Sequence, residues 1–216
     1  MNQSEESIVE TALETPALPE SAAPVPGALA VPVETPAPSR RSRWLREIVD
    51  TALLTAIIFL LLNAATGRFM IKSVSMLPSL HEGEYVIVDK VSYLLHPPER
   101  GDIVVFERQD ETEDLIKRVI GLPGETLELS GGVVYIDGQP LPEPYLTPSP
   151  SSSYPAHKLG ADEYFVMGDN RGNSRDSRIF GPIRRDSVVG RAWMIYWPPS
   201  DWAIVPHYAY AANTGR

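Results

Sequence analysis

The chain has 216 residues, 43% of them hydrophobic, a formal net charge of −9 and no cysteine. The negative charge argues against nucleic acid as a partner, which would need a basic face. The absence of cysteine excludes thiol nucleophiles, cysteine-built zinc sites and disulfides. His81, His96, His157 and His207 stand without metal-ligand spacing such as H-E-x-x-H, so no metal and no other cofactor is expected.

Residues 1–39 carry six Glu and no Lys or Arg, are rich in Pro and Ala, and lack any aromatic side chain. Such a segment buries too little apolar surface to offset its ordering entropy, and it is predicted to be a disordered acidic tail. Residues 40–69 differ sharply. Arg40, Arg41, Arg43 and Arg46 precede 17 uncharged residues lying between Asp50 and Arg68. At about 1.5 Å per residue this run nearly spans a hydrocarbon core of roughly 30 Å, with Arg68 placed to snorkel. It is apolar on every face, unlike a core helix of a soluble domain, and longer than the apolar region of roughly 7–15 residues in a cleaved signal. A retained transmembrane anchor is expected. The arginines on its N-terminal side predict a cytoplasmic N-terminus and an extracytoplasmic segment 70–216.

From residue 70 the texture becomes short β-type runs separated by Gly and Pro. These are 84–91, 102–108, 114–122, 125–130, 133–141, 163–168 and 188–197, with turn signals at Gly131-Gly132 and Asp137-Gly138. Residues 142–161 read as a Pro/Ser loop. The fold class expected is a mostly β antiparallel ectodomain behind one N-terminal transmembrane helix.

Three segments carry candidate chemistry. KSVSMLPSL (72–80) places small hydroxyls just beyond the span, where the first strand begins. A serine attacks only when a base takes its proton, and none of the four histidines lies in a dense polar motif. LIKRVIGLPGE (115–125) offers Lys117 within an otherwise apolar strand, with Lys117 and Val119 on one face and Ile116 and Arg118 on the other. Either Lys117 is desolvated, its pKa drawn from about 10.4 towards neutrality so that it serves as a base, or Lys117-Arg118 marks a solvated face. GDNRGNSRDSRIFGP (168–182) alternates charges among Asn and Ser residues. It is either a polar scaffold beside a site or an exposed turn with weak ion pairs.

Taken together, SVSMLPSL, RGDIVVF (100–106), IKRVIGLPGE and GDNRGNSRDSR, in this order behind one anchor, resemble the bacterial type I signal peptidases. The resemblance covers roughly residues 40–200 and implies a membrane-bound serine-lysine endopeptidase, with the signal peptides of exported preproteins as partners. It implies Ser75 as nucleophile and Lys117 as general base. Ser73 would join the Ser75 N–H in the oxyanion hole, and Ser174 would orient the lysine amine. Asp169 with Arg118, and Asp176 with Arg178, would form structural pairs. Ile71, Met76, Leu80, Leu115 and Ile116 would line shallow pockets for small side chains. Two residues depart from the family pattern: Gly172 stands where a second Asp is usual, and Lys72 where proline is common.

A mostly β enzyme can take an extended substrate as an added strand. The Trp193–Trp197 run with Trp202 reads either as an aromatic patch at the lipid interface or as core strand. Two other readings are a cytosolic self-cleaving repressor and a silent β binding module. The anchor speaks against the first, and intact Ser75, Lys117 and Ser174 against the second.

Overall fold

The computed structural model describes residues 40–146 and 151–210. The tail reading for residues 1–39 lies outside the described residues. Helix α1 (Arg40–Ala65) is built from Leu, Ala, Ile and Arg without Gly or Pro, all good or tolerable helix formers. Its Arg43–Ala65 part is long and apolar enough to cross a membrane, with a mean hydropathy of 2.1 over an 18-residue window, none of which is buried against the protein.

The helix closes at Ala65, four residues short of the 40–69 segment that charge and hydropathy group together. Gly67 weakens the helix there, and Thr66 turns its hydroxyl back onto the Leu62 carbonyl at 2.8 Å. Residues 66–69 instead join β1 (Thr66–Met70), which pairs antiparallel with β2 (Tyr85–Asp89). Contacts divide the chain between residues 46 and 47, and every site residue described below lies in the 47–216 unit.

A short helix α2 (Ser92–Leu95) follows, then β3 (Ile103–Phe106), β4 (Leu115–Gly121), β5 (Thr126–Ser130), β6 (Val133–Ile136) and β7 (Gln139–Pro140). Next come β8 (Tyr154–Lys158), β9 (Glu163–Met167), α3 (Ser177–Phe180), β10 (Ile183–Arg184), β11 (Val188–Trp197) and β12 (Ala203–Ile204). The large sheet has the order β1-β2-β11-β3-β4-β9-β10, with β12 added to β11, and a smaller sheet has the order β7-β6-β5-β8. All the pairings are antiparallel.

The predicted runs coincide with β2, β3, β4, β5, β6–β7, β9 and β11. The 133–141 run breaks at Asp137-Gly138, whose φ values of 49° and 79° are those of a two-residue hairpin turn with two left-handed positions. Strand β8 was not expected. It sits inside the Pro/Ser stretch 142–161 and forms because Leu127 and Leu129 of β5 offer it a partner edge, a tertiary effect that overrides a turn-like composition.

Three apolar clusters fill the unit. One gathers Ile71, Met76, Leu80, Val86, Ile103, Ala192, Ile195 and Val205, with Ile116 at its margin. A second lies under the small sheet around Leu127, Val134 and Phe165. The third joins Val104, Phe106, Val119 and Val166, with Leu115 at its margin. Strand β4 runs between the first and third, so both of its faces are covered. A lysine in its middle is therefore surrounded by apolar neighbours.

Candidate active site

The chain between β1 and β2 folds into a single 3-10 turn, Val74–Met76, with Ser75 and Met76 buried. Met76 and Leu80 drop into the apolar cluster below and fix the turn's height. Lys117 projects from β4 and is only 3% exposed. Its Nζ lies 2.7 Å from Ser75 Oγ and donates to its neighbour's carbonyl, Ile116 O, also at 2.7 Å. Ser75 Oγ is in turn 3.1 Å from Ser73 Oγ.

Burial draws the Lys117 amine down to about 8, against the opposing pull of the Asp176 and Asp169 carboxylates. Of the two readings of the LIKRV strand, the structure takes the desolvated one. His207, by contrast, is committed to the backbone. Its Nδ1 accepts from the Ile103 N–H at 3.1 Å and its Nε2 faces the Ala192 carbonyl at 2.7 Å. Burial, with the Arg191 charge beside it, holds its pKa down to about 4.

The segment after β9 supports this pair from beneath. Arg118 is fully buried, and each of its five N–H groups has an acceptor: both Asp169 oxygens (2.8 and 2.7 Å), Gly101 O (2.8 Å), Pro206 O (3.1 Å) and Ser79 Oγ (3.2 Å). Such complete pairing is what a buried guanidinium requires. Asp176 accepts from Arg178 Nε and Nη2 (2.8 and 2.7 Å) and from the Gly168 N–H (3.0 Å). Asp169 and Asp176 thereby pin the two ends of the loop that starts at Gly168.

The hydroxyl of Ser174 is buried but makes no hydrogen bond among the described residues. The contact to the lysine amine that the family resemblance implies is therefore not made here; the Lys117 amine meets Ser75 Oγ and Ile116 O instead. Ile71, Met76 and Leu80 are buried, whereas Leu115 and Ile116 are partly exposed beside the serine. Lys72 points outward to an ion pair with Glu113 that is half exposed on both sides, which adds little to stability.

Sequence reasoning passed over Gly168. A Cβ built on it would stand 2.2 Å from Ser174 Oγ and 2.5 Å from Ser75 O. No side chain fits between these atoms without moving the turn that carries Ser75. Gly168→Ala is expected to reduce kcat/KM at least about tenfold, as small misplacements of reacting groups do, while the unfolding transition stays cooperative. Steady-state cleavage of a synthetic precursor, with thermal unfolding alongside, measures both.

The family model described as signal peptidase, peptidase S26, matches residues 42–197. The chain is 42% identical over 164 residues to signal peptidase I of Leptolyngbya laminosa, covering 71% of this chain and 80% of that protein. It is 38% identical over 178 residues to probable signal peptidase I-1 of Synechocystis, covering 78% and 90%. A crystal structure of signal peptidase I from Enterococcus faecalis aligns at 35% identity over 44% of this chain and 97% of that one, with a TM-score of 0.39. The family model and these relatives indicate a serine endopeptidase. The chain belongs to the signal peptidase family, peptidase S26, whose members cleave signal peptides from preproteins.

Proposed function

We infer that Ser75 and Lys117 form the catalytic dyad and cut preproteins after small residues of the Ala-x-Ala type. The observation that carries this reading is the 2.7 Å approach of a buried Lys117 Nζ to Ser75 Oγ, with the amine's pKa near 8. The neutral amine takes the Ser75 proton as Oγ bonds to the scissile carbonyl carbon. The oxyanion is received by the Ser75 N–H and the Ser73 hydroxyl. The Lys117 ammonium then gives its proton to the leaving amine, and the same amine activates the water that hydrolyses the acyl-enzyme. Ser174, whose hydroxyl has no partner among the described residues, steadies the ammonium while it is charged.

The substrate enters as a strand. Strand β9 pairs with β4 only from Arg118 onward, so Leu115–Lys117 keep an edge without a strand partner among the described residues. An extended peptide added there presents alternate side chains to the partly exposed Leu115 and Ile116. Beneath them Ile71, Met76 and Leu80 are already closed into the core, so no deep pocket lies open and small side chains fit best.

The dyad works at a membrane surface. The apolar stretch of α1 has no cover from the protein, and Arg68 lies seven residues before Ser75, at most about 25 Å of extended chain. Trp193 (48% exposed), Trp197 (53%) and Trp202 (69%) are outward-facing rather than core, which supports contact with lipid headgroups. Arg40, Arg41, Arg43 and Arg46, at the N-terminal end of α1 ahead of its uncharged run, favour a cytoplasmic N-terminus with residues 70–216 outside.

Precursors with Ala, Gly or Ser immediately before the scissile bond, and again two residues upstream, should be cut. Phe at either position should lower kcat/KM roughly 100-fold. Equal rates for Ala and Phe precursors, read by mass spectrometry of the products, would reject the pocket assignment.

A further inference from the structure

Asn170 has no role in the dyad, yet it makes two contacts to the backbone on either side of Ser75. Its side-chain Nδ2 donates to Val74 O at 3.1 Å and its backbone N–H donates to Ser75 O at 3.0 Å. Val74 O belongs to the same peptide unit as the Ser75 N–H. That peptide is trans, so its carbonyl and its N–H point in opposite directions. Fixing Val74 O towards Asn170 therefore aims the Ser75 N–H the other way. Among the described residues that N–H donates to no backbone acceptor. A hydrogen bond accepted at the carbonyl also polarises the peptide and strengthens its N–H as a donor.

Asn170 is itself held tightly. Asp169, one residue before it, is locked by two bonds from buried Arg118, and the Asn173 N–H returns to Asn170 O at 3.0 Å.

We propose that Asn170 is the positioning residue of the oxyanion hole, orienting the Ser75 N–H through the Val74 carbonyl. The inference rests on the Ser75–Lys117 reading above. It extends that reading from the groups that move the proton to the group that shapes the charge-stabilising donor. Asn170 touches no reacting atom. Its effect belongs in the transition state, because the oxyanion forms only there.

The test compares the wild-type full chain with Asn170→Ala, Asn170→Gln and Ser75→Ala on one Ala-x-Ala precursor. Affinity for a peptide boronate, which forms a tetrahedral adduct on the nucleophile, is measured in parallel. Asn170→Ala should lower kcat by about 10- to 100-fold, less than deletion of an oxyanion donor itself. KM and the acidic limb of the pH profile should stay in place, and boronate affinity should fall by a similar factor. Asn170→Gln, which keeps the amide donor on a longer arm, should recover part of kcat. A kcat within twofold of wild type overturns the proposal. So do equal losses in the Ala and Gln variants, or a loss accompanied by a shifted acidic limb or a lowered unfolding temperature, since those assign Asn170 to the base or to the fold. If Ser75→Ala still cleaves, the dyad reading itself has failed; if Ser75→Ala is dead and Asn170→Ala is normal, only this inference has.

Discussion

On the proposed dyad, Ser75→Ala is expected to lower kcat/KM on a preprotein by about 10⁵-fold or more, because it removes the oxygen assigned to bond formation and nothing nearby replaces it. Ser73 is the adjacent hydroxyl, at 3.1 Å from Ser75 Oγ, but the contact to Lys117 Nζ belongs to Ser75. The fold should survive. The Ser75 backbone stays anchored through its carbonyl to Asn170 N–H, and Met76 and Leu80 stay seated in the core. Substrate affinity should survive too, since the free edge at Leu115–Lys117 is untouched. The measurement is single-turnover cleavage of a precursor in detergent or vesicles, with binding of the intact precursor followed separately. Turnover within tenfold of wild type would remove Ser75 from the chemistry.

Much of this arrangement was legible in the residues, for identifiable reasons. Alternation and β-branching marked β2, β3, β4 and β11, whose interior positions are the same Val and Ile side chains that fill the core. A 17-residue uncharged run marked the apolar helix. What stayed hidden was decided by tertiary partners. Strand β1 was absorbed into the span because hydropathy cannot see that Arg68 pairs across to Ile87. Strand β8 was masked by Pro and Ser because its signal lies on β5. The burial of Lys117 was left open by LIKRV alone, and only the covering of both faces of β4 settles it.

The same distinction separates the legible site residues from the missed ones. Ser75 is one of three serines in KSVSMLPSL, and it and Lys117 are singled out by the family resemblance, from motifs that are local in sequence. Gly168 and Asn170 look like ordinary loop residues, and their significance is a close approach to Ser75 across 93 and 95 positions of sequence. A glycine in a polar loop is usually read as a turn signal. Here the cause is steric, a space already taken by Ser174 Oγ and Ser75 O.

Lys117→Arg is expected to be nearly as damaging as Lys117→Ala, each lowering kcat by about 10³- to 10⁴-fold. The guanidinium remains protonated at every workable pH and cannot accept the serine proton. In the wild type the kcat/KM profile should show an acidic limb near 8, the value to which burial lowers the amine. Below it the amine is an ammonium and the rate should fall tenfold per pH unit; above it the neutral base is fully formed. No His→Ala change should shift that limb, because His207 is bound to backbone and its pKa lies near 4. The same burial has a cost in stability. A folded-state pKa below the unfolded one means the unfolded chain binds more protons, so stability should rise with pH between about 8 and 10.5. At neutral pH the full penalty is present, on the order of 3 kcal/mol before relaxation of the site. Lys117→Met, apolar and of similar length, should therefore unfold at a higher temperature than wild type at pH 7 while cleaving nothing. The difference should shrink as the pH is raised towards 10. An acidic limb that persists in Lys117→Met, or moves in His207→Ala, would transfer the base to another group.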